Sequence, residues 1–116
     1  MTALRNFQAL GRLKAGSMNR TEREYAEMLA LRKHAGEIIW WAFEPFKIRL
    51  ADRTFYDVDF AVLLANSELE VHEVKGGFVT DDGRAKVKIA AELFPARFFL
   101  AQKVKKAWAV ELVGRQ

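Results

Sequence analysis

One feature limits the possible folds of this chain more than any other, a long run near its middle in which every second residue is apolar. The run comprises Tyr56, Val58, Phe60, Val62 and Leu64. Because side chains two apart in a strand face the same side of a sheet, residues 54–64 are predicted to form one long strand. Asn66 and Ser67 favour a turn, so residues 68–75 are expected to pair back as the second strand of a hairpin.

Helical periodicity flanks this hairpin on both sides. Residues 21–35 and 81–94 carry apolar side chains three and four positions apart, which is the spacing of one helix face. The first buried face is predicted to comprise Tyr25, Ala26 and Leu29. The second is predicted to comprise Val87, Ala90, Ala91 and Phe94, widened by Ile89 and Leu93. Gly36 and Pro95 are expected to end the two helices.

The start of the first helix has two possible capping residues. Thr21 with Glu24 has the spacing of a capping box, and so does Asn19 with Glu22. Only one box can form, and we expect Thr21 to be the cap. Glu22 would then be the first helical residue, on the apolar face, where a carboxylate needs a partner.

Segments rich in β-branched and aromatic residues predict the remaining strands. Residues 38–43 and 46–50 are counted as one strand with a bend or edge at Pro45, and residues 97–101 and 107–113 are expected to give one or two more. The expected order is therefore a helix, three strands, a second helix and one or two strands, which is an α/β arrangement. A chain of 116 residues is expected to form a single domain. We predict that residues 19–116 form it and that residues 1–18 are a basic N-terminal arm with a short amphipathic helix.

Composition narrows the function and the location. The chain has no cysteine, which removes disulfides, thiolate metal sites and cysteine nucleophiles. We see no apolar run of membrane-spanning length and no secretory signal, so a cytoplasmic location without membrane association is expected. The net charge of +4 lies entirely before Glu22, because that stretch has four basic residues and no acid, while the rest has 15 of each. Such an arm suits a polyanion such as DNA.

The residues that carry chemistry are expected on the hairpin. Glu73 and Lys75 are two apart and project together, and Asp57 and Asp59 do the same on the preceding strand. Charged groups facing inward are costly unless they are paired or bound to a metal. Two convergent carboxylates beside a lysine suit magnesium-assisted phosphoryl chemistry, because oxygen ligands hold Mg²⁺.

Asp59 followed by Glu73-Val74-Lys75 resembles the motif of the PD-(D/E)XK nuclease superfamily. The wider segments Asn19-Arg20-Thr21-Glu22, Phe43-Glu44-Pro45, His72-Glu73-Val74-Lys75-Gly76 and Asp81-Asp82-Gly83-Arg84 resemble a family of small phage proteins that is similar to Holliday-junction resolvases. The resemblance implies a restriction-endonuclease-like fold, with a mixed central β-sheet flanked by helices in the order α-β-β-β-α-β. It also implies a homodimeric endonuclease that uses Mg²⁺ or Mn²⁺ to cut branched DNA, in the host cytoplasm if phage-encoded.

The same resemblance implies roles for individual residues. Asp59 and Glu73 would bind the metal, with the Val74 carbonyl as a further ligand and Glu22 as an additional acid. Lys75 would orient the attacking water or stabilise charge in the transition state. The family has proline before the aspartate, where this chain has Val58, so Asp57 competes with Asp59 for the ligand role; we favour Asp59. His72 is expected to be structural, because it faces away from Glu73.

Basic residues outside the motif are predicted to contact the DNA backbone, namely Arg5, Arg12, Lys14, Arg84, Lys86, Lys103, Lys105 and Lys106. Trp40 and Trp41 face opposite sides of their strand, so one of them is expected to be exposed or to lie at a subunit contact. Three alternatives to a junction-resolving enzyme stay open. The first is a nuclease that nicks DNA or processes ends, and the second is a DNA-binding module without catalysis. The third is a structural phage interaction protein that neither cuts DNA nor binds it in a salt-dependent way.

Overall fold

The computed structural model describes residues 17–77 and 79–114 and shows an α/β fold, with a mixed five-stranded sheet and one helix on each face. The helices are α1 (Arg20–His34) and α2 (Asp81–Leu93). The strands are β1 (Ile38–Phe43), β2 (Lys47–Ala51), β3 (Thr54–Asp57), β4 (Phe60–Leu64), β5 (Leu69–Lys75), β6 (Arg97–Val104) and β7 (Ala107–Val113). Residues 1–16 of the predicted arm, with Arg5, Arg12 and Lys14, lie outside the described residues.

The large sheet has the strand order β1-β4-β5-β6-β7. Only β5 and β6 run parallel, and α2 makes the crossover between them that a parallel pair requires. The predicted hairpin is confirmed, because β4 pairs antiparallel with β5 across the Asn66-Ser67 turn. The other two strands, β2 and β3, form a separate antiparallel ribbon.

The start of α1 differs from our prediction. Asn19, and not Thr21, is the N-cap: its side chain accepts a hydrogen bond from the Glu22 backbone N–H, and Glu22 returns a bond to the Asn19 N–H. Thr21 is instead a helical residue that packs against Gly76 at the end of β5. A Cβ at Gly76 would lie 2.8 Å from the Thr21 hydroxyl, so this close approach depends on glycine.

The second helix has a narrower buried face than we predicted. Val87, Ala90 and Ala91 are buried as expected, but Ile89 and Leu93 are exposed, so the predicted widening is wrong. Ile89 is two residues from Val87, which places it about 200° around the helix and therefore on the solvent side.

The predicted long strand over residues 54–64 is also wrong, because it is broken between Asp57 and Phe60. The segment that pairs with it is interrupted as well, between β1 and β2, so five strands separate the two helices where three were expected. The two interrupted segments form one bent hairpin, in which β1 pairs with β4 and β2 pairs with β3. Two backbone hydrogen bonds hold the bend, from Glu44 N–H to the Asp59 carbonyl (2.7 Å) and from Val58 N–H to the Phe46 carbonyl (3.2 Å).

The break changes which face each side chain occupies. Tyr56 and Val58 belong to the core beneath α2, whereas Phe60 and Val62 belong to the core beneath α1. An unbroken strand would place all four on one face, so the break shifts the alternation by one residue, as a β-bulge does. Asp59 lies at this shift.

In the described part of the chain, no helix is both long enough and apolar enough to cross a membrane.

Candidate active site

The C-terminal end of strand β5 carries the acidic residue Glu73 and the basic residue Lys75 of the predicted motif. Glu73 is 7% exposed, and one of its carboxylate oxygens lies 3.1 Å from the Lys75 Nζ. The Lys75 side chain is 42% exposed, so its ammonium group reaches solvent while its partner does not. An exposed cross-strand ion pair is a common feature of small energetic value. The Glu73–Lys75 pair differs from an exposed ion pair because its carboxylate is buried.

A tyrosine from the separate ribbon holds the other oxygen of Glu73. The buried Tyr56 hydroxyl donates a hydrogen bond of 2.5 Å to Oε1, while Lys75 occupies Oε2. Burial, together with the neighbouring Glu73 charge, raises the pKa of Tyr56, so the hydroxyl remains protonated and acts as the donor. Both oxygens of the carboxylate are therefore fixed in orientation.

The break in the hairpin brings Asp59 to the same place. Its Oδ2 accepts a hydrogen bond of 2.9 Å from the Val74 backbone N–H, just beyond the last β4–β5 pair, Phe60 with His72. The N–H and C=O of one strand residue point to the same edge, so the Val74 carbonyl also faces the edge where Asp59 lies. Two carboxylates and a carbonyl oxygen thus converge where β4 has ended.

The electrostatics of this cluster differ from those of an ordinary ion pair. Burial and then the adjacent Glu73 charge raise the pKa of Asp59 well above its usual range, although the Val74 N–H and Lys75 oppose this. Burial lowers the pKa of Lys75, but the Glu73 charge and hydrogen bond, with Asp59 and Glu22, outweigh it and raise that pKa overall. The site concentrates negative charge around one lysine.

Glu22 closes the capping box with Asn19, which is one of the two roles that the sequence offered for it. Its charge also contributes to the raised pKa values of Asp59 and Lys75, because the start of α1 packs against the end of β5. In the structure its Oε1 accepts the Asn19 backbone N–H at 2.9 Å.

The donor set suits a hard divalent cation. Among the described residues there is no group of three or more acidic or histidine side chains arranged to hold a metal. Mg²⁺ is commonly bound through one or two carboxylates, with water and substrate phosphate completing the shell. Asp59 and Glu73 supply that number, and the pKa of Asp59 is raised by burial and then by repulsion from Glu73, both of which a bound cation would offset.

The neighbouring candidates lie elsewhere. Asp57 is exposed on the ribbon opposite Lys47, away from the Val74 edge. His72 faces α1, where its ring nitrogens contact the Tyr25 hydroxyl at 2.6 Å and Glu70 at 2.9 Å. Its structural environment is the one we expected.

The predicted DNA contacts fall into two groups. Lys103, Lys105 and Lys106 lie at the end of β6 and in the β6–β7 turn, at the same end of the sheet as Lys75, which pairs with Gln102. Lys103 also contacts Glu24 at 3.0 Å and lies over Trp108. On α2, Arg84 pairs with Glu111 at 2.9 Å. Lys86 donates to the Phe55 carbonyl at 3.1 Å.

Tyr56 is the site residue that sequence analysis missed. Its place in the apolar alternation led us to treat it as a core residue, which it also is. One signal was present, because a tyrosine buried in a core needs a partner for its hydroxyl, and the strand predicted to pair next in the hairpin carries acidic residues.

Comparisons with protein-family models, with curated proteins and with solved structures found no match for this chain.

Proposed function

We propose that this protein is a metal-dependent endonuclease that hydrolyses phosphodiester bonds in DNA and acts in the cytoplasm. One observation carries the proposal, the convergence of Asp59 and Glu73 beside Lys75 at the open end of the sheet. A buried carboxylate, Glu73, beside a half-buried one, Asp59, is electrostatically costly, and such sites are a recurrent mark of function. The parallel β5–β6 pair joined by α2 further supports a restriction-endonuclease-like core of the PD-(D/E)XK type.

The carboxylates of Asp59 and Glu73 and the Val74 carbonyl would hold Mg²⁺ or Mn²⁺. When bound, the ion supplies a water of lowered pKa and neutralises charge on the phosphate. Tyr56 fixes the Glu73 carboxylate in one orientation. Glu22 adds negative charge at the start of α1.

Lys75 acts as a cation and not as a base in this proposal. Its raised pKa keeps the ammonium protonated at neutral pH, so it can donate to a phosphate oxygen or to the attacking water but cannot accept a proton. A preorganised cation directed at charge that develops in the transition state is among the strongest catalytic devices. Its partial exposure lets it reach a bound backbone.

DNA is the substrate that the surrounding charge favours. Lys103, Lys105 and Lys106 lie at the same end of the sheet as the site. Branched DNA, such as a four-way junction, is the specific substrate that we propose.

Paired cuts across a junction need two sites, so we propose a homodimer. Edge strand β1 supports this, because Ile39 and Trp40 are both exposed there. Sedimentation should give twice the chain mass, and Trp40→Glu should yield monomers. A monomeric wild type at micromolar concentration would rule out a stable dimer.

A second candidate, a DNA-binding module without catalysis, is favoured by a different observation. Within the described residues, every buried polar side-chain atom has a hydrogen-bond partner without any metal. The cluster is therefore self-consistent as an ion-pair network. Under this candidate, DNA binding persists in EDTA and is unchanged in Lys75→Ala.

The deciding experiment is cleavage of a labelled four-way junction beside linear duplex of matched sequence, with Mg²⁺ or EDTA. Wild type is compared with Lys75→Ala and with Lys88→Ala, a control lysine that is exposed on α2. We expect symmetric cuts in the junction alone, lost with EDTA and in Lys75→Ala but kept in Lys88→Ala. Cutting of both substrates would leave a nicking or end-processing nuclease, and binding without any cutting would favour the second candidate.

A further inference from the structure

The β2–β3 ribbon presents an exposed face of unusual composition. Lys47, Arg49 and Phe55 share this outer face, because Arg49 pairs with Phe55 and Lys47 lies two residues before Arg49. The inner face carries Ile48 and Tyr56, which are buried against α2. The outer face of the ribbon therefore exposes two cations around one aromatic ring, with the Asp57 carboxylate opposite Lys47.

Phe55 is held at the surface and not within a core. Its side chain is 39% exposed, and the Lys47 ammonium lies 5.1 Å from the centre of its ring. Phe46, which has similar exposure, instead packs its ring on Phe94 at 5.6 Å. Because the Phe55 ring is partly exposed, it can stack on another planar or cationic group.

The ribbon is fixed relative to the candidate active site. Tyr56, the neighbour of Phe55, directs its hydroxyl to Glu73 from the opposite face. Lys86 on α2 donates to the Phe55 carbonyl at 3.1 Å. The Glu44–Asp59 backbone bond holds the base of the ribbon at the break. The ribbon that carries the outer face is thus held in a fixed position relative to Glu73 and Asp59.

We propose that the outer face of the ribbon binds unpaired nucleotides, with a base stacked on Phe55 and the backbone contacting Lys47 and Arg49. Arg53, exposed in the ribbon turn, extends the cationic edge. Aromatic rings among cations are the general means of binding single strands, because every base offers a flat face. Three cations oppose two acids in residues 47–57, and Arg49 contacts Asp52 at 3.8 Å, so stacking contributes more than net charge.

The inference rests on the proposed function only for the position of the single strand beside the cut. It identifies the substrate as DNA in which unpaired bases adjoin the scissile phosphate. Binding itself needs no metal and no catalysis, and it is therefore measured separately from cleavage.

The test is binding of a short single-stranded oligonucleotide that carries 2-aminopurine, measured in EDTA, beside the matched duplex. Wild type is expected to quench the probe, and Phe55→Ala to lose roughly fivefold to a hundredfold in affinity for it, the effect of removing one stacked base. Phe55→Tyr should restore the affinity. Ile89→Ala, which removes a comparably exposed apolar side chain from α2, should have no effect.

Lys47→Ala and Arg49→Ala should each weaken binding and reduce its salt dependence by about one counterion, whereas Lys88→Ala should do neither. Equal binding by wild type and a folded Phe55→Ala would overturn the inference, as would a preference for fully paired duplex. Quenching that requires Phe55, without any DNA cleavage, would support nucleotide binding by the ribbon and refute the proposed nuclease activity. Cleavage at the wild-type rate in Phe55→Ala would support the nuclease activity and refute the role of the ribbon.

Discussion

Strand β5 carries a buried cluster of charged and hydrogen-bonding groups on each face, and the two clusters differ in electrostatic character. Beneath α1, Glu70 contacts His72 at 2.9 Å and Arg97 at 2.9 Å, and His72 contacts Tyr25. Burial raises the pKa of Glu70, but the hydrogen bond and charge of His72, with Arg97, lower it overall. Each group in this cluster therefore stabilises its neighbours.

On the other side, Asp59 and Glu73 are neighbours of like charge, and the pKa of Asp59 is raised. The comparison teaches that hydrogen bonding and burial alone do not separate the two clusters, whereas the sign of the carboxyl pKa shift does. A raised carboxyl pKa marks an arrangement that the fold tolerates at a cost, and this supports the role proposed for Asp59. We expect the α1-side cluster to govern stability and the Asp59 cluster to govern activity.

The largest expected effect is on catalysis. Lys75→Ala should lower the rate of DNA cleavage about a thousandfold, the effect of losing one preorganised group that stabilises transition-state charge. Single-turnover cleavage at saturating Mg²⁺ measures it, with Lys88→Ala as the control. Retention of the wild-type rate would show that Lys75 is not a catalytic residue. The Asp59 cluster would then be structural, like the cluster beneath α1.

Next in size is a loss of stability from the other face. His72→Leu leaves Glu70 and Tyr25 without their shared partner, so the free energy of unfolding should fall by about 3 kcal/mol. Urea denaturation measures the change, and cleavage below the melting transition should match wild type. A variant of normal stability and no activity would contradict the division between the clusters.

A pair of hydroxyl deletions sharpens the comparison further. Tyr56→Phe removes the donor that orients Glu73, so metal affinity should fall about tenfold, the usual effect of losing a group that supports a ligand. Tyr25→Phe removes the same atom from the α1-side cluster and should lower stability by about 1 kcal/mol without changing metal affinity. Calorimetric titration with Mn²⁺ measures the affinity. Equal effects of both changes on Mn²⁺ binding would show that the clusters are not separate.

The smallest expected effect is a gain in stability. The folded-state pKa of Asp59 lies above its unfolded value, so the folded protein holds that proton more tightly and loses stability as pH rises through the two values. Asp59→Asn should therefore raise the free energy of unfolding by about 1 kcal/mol at neutral pH in EDTA, and the gain should vanish in acid. Asp57→Asn, at an exposed position, should change nothing. Destabilisation by Asp59→Asn at neutral pH would contradict the sign of the shift.

Much of the fold could be predicted from local pattern, and the break could not. The helix bounds, the Asn66-Ser67 turn and strand β5 follow from periodicity and turn chemistry. The break is hidden because the residues of β4 are apolar on both faces, as in any central strand, so the alternation looks continuous while its phase changes. The unbroken apolar run from Phe60 to Leu64 was the one available sign.

The candidate site was predictable in its members and not in its contacts. Asp59, Glu73 and Lys75 follow from the motif, but the bond from Tyr56 crosses between two sheets, and no spacing rule describes it. The cap of α1 had two equal solutions in sequence. Packing of Thr21 against Gly76 accompanies the choice of Asn19, and only the folded chain contains that contact.

The break at Asp59 has a consequence for how chain length can vary. Strand pairing on its two sides is set independently, so residues added at the Asp52-Arg53 tip would lengthen the ribbon without turning any side chain near the site. One residue added between Asp57 and Phe60 would instead rotate the acid away from the Val74 edge. Insertions at the tip can therefore change the contacts of the ribbon and leave the site intact, whereas an insertion between Asp57 and Phe60 displaces Asp59.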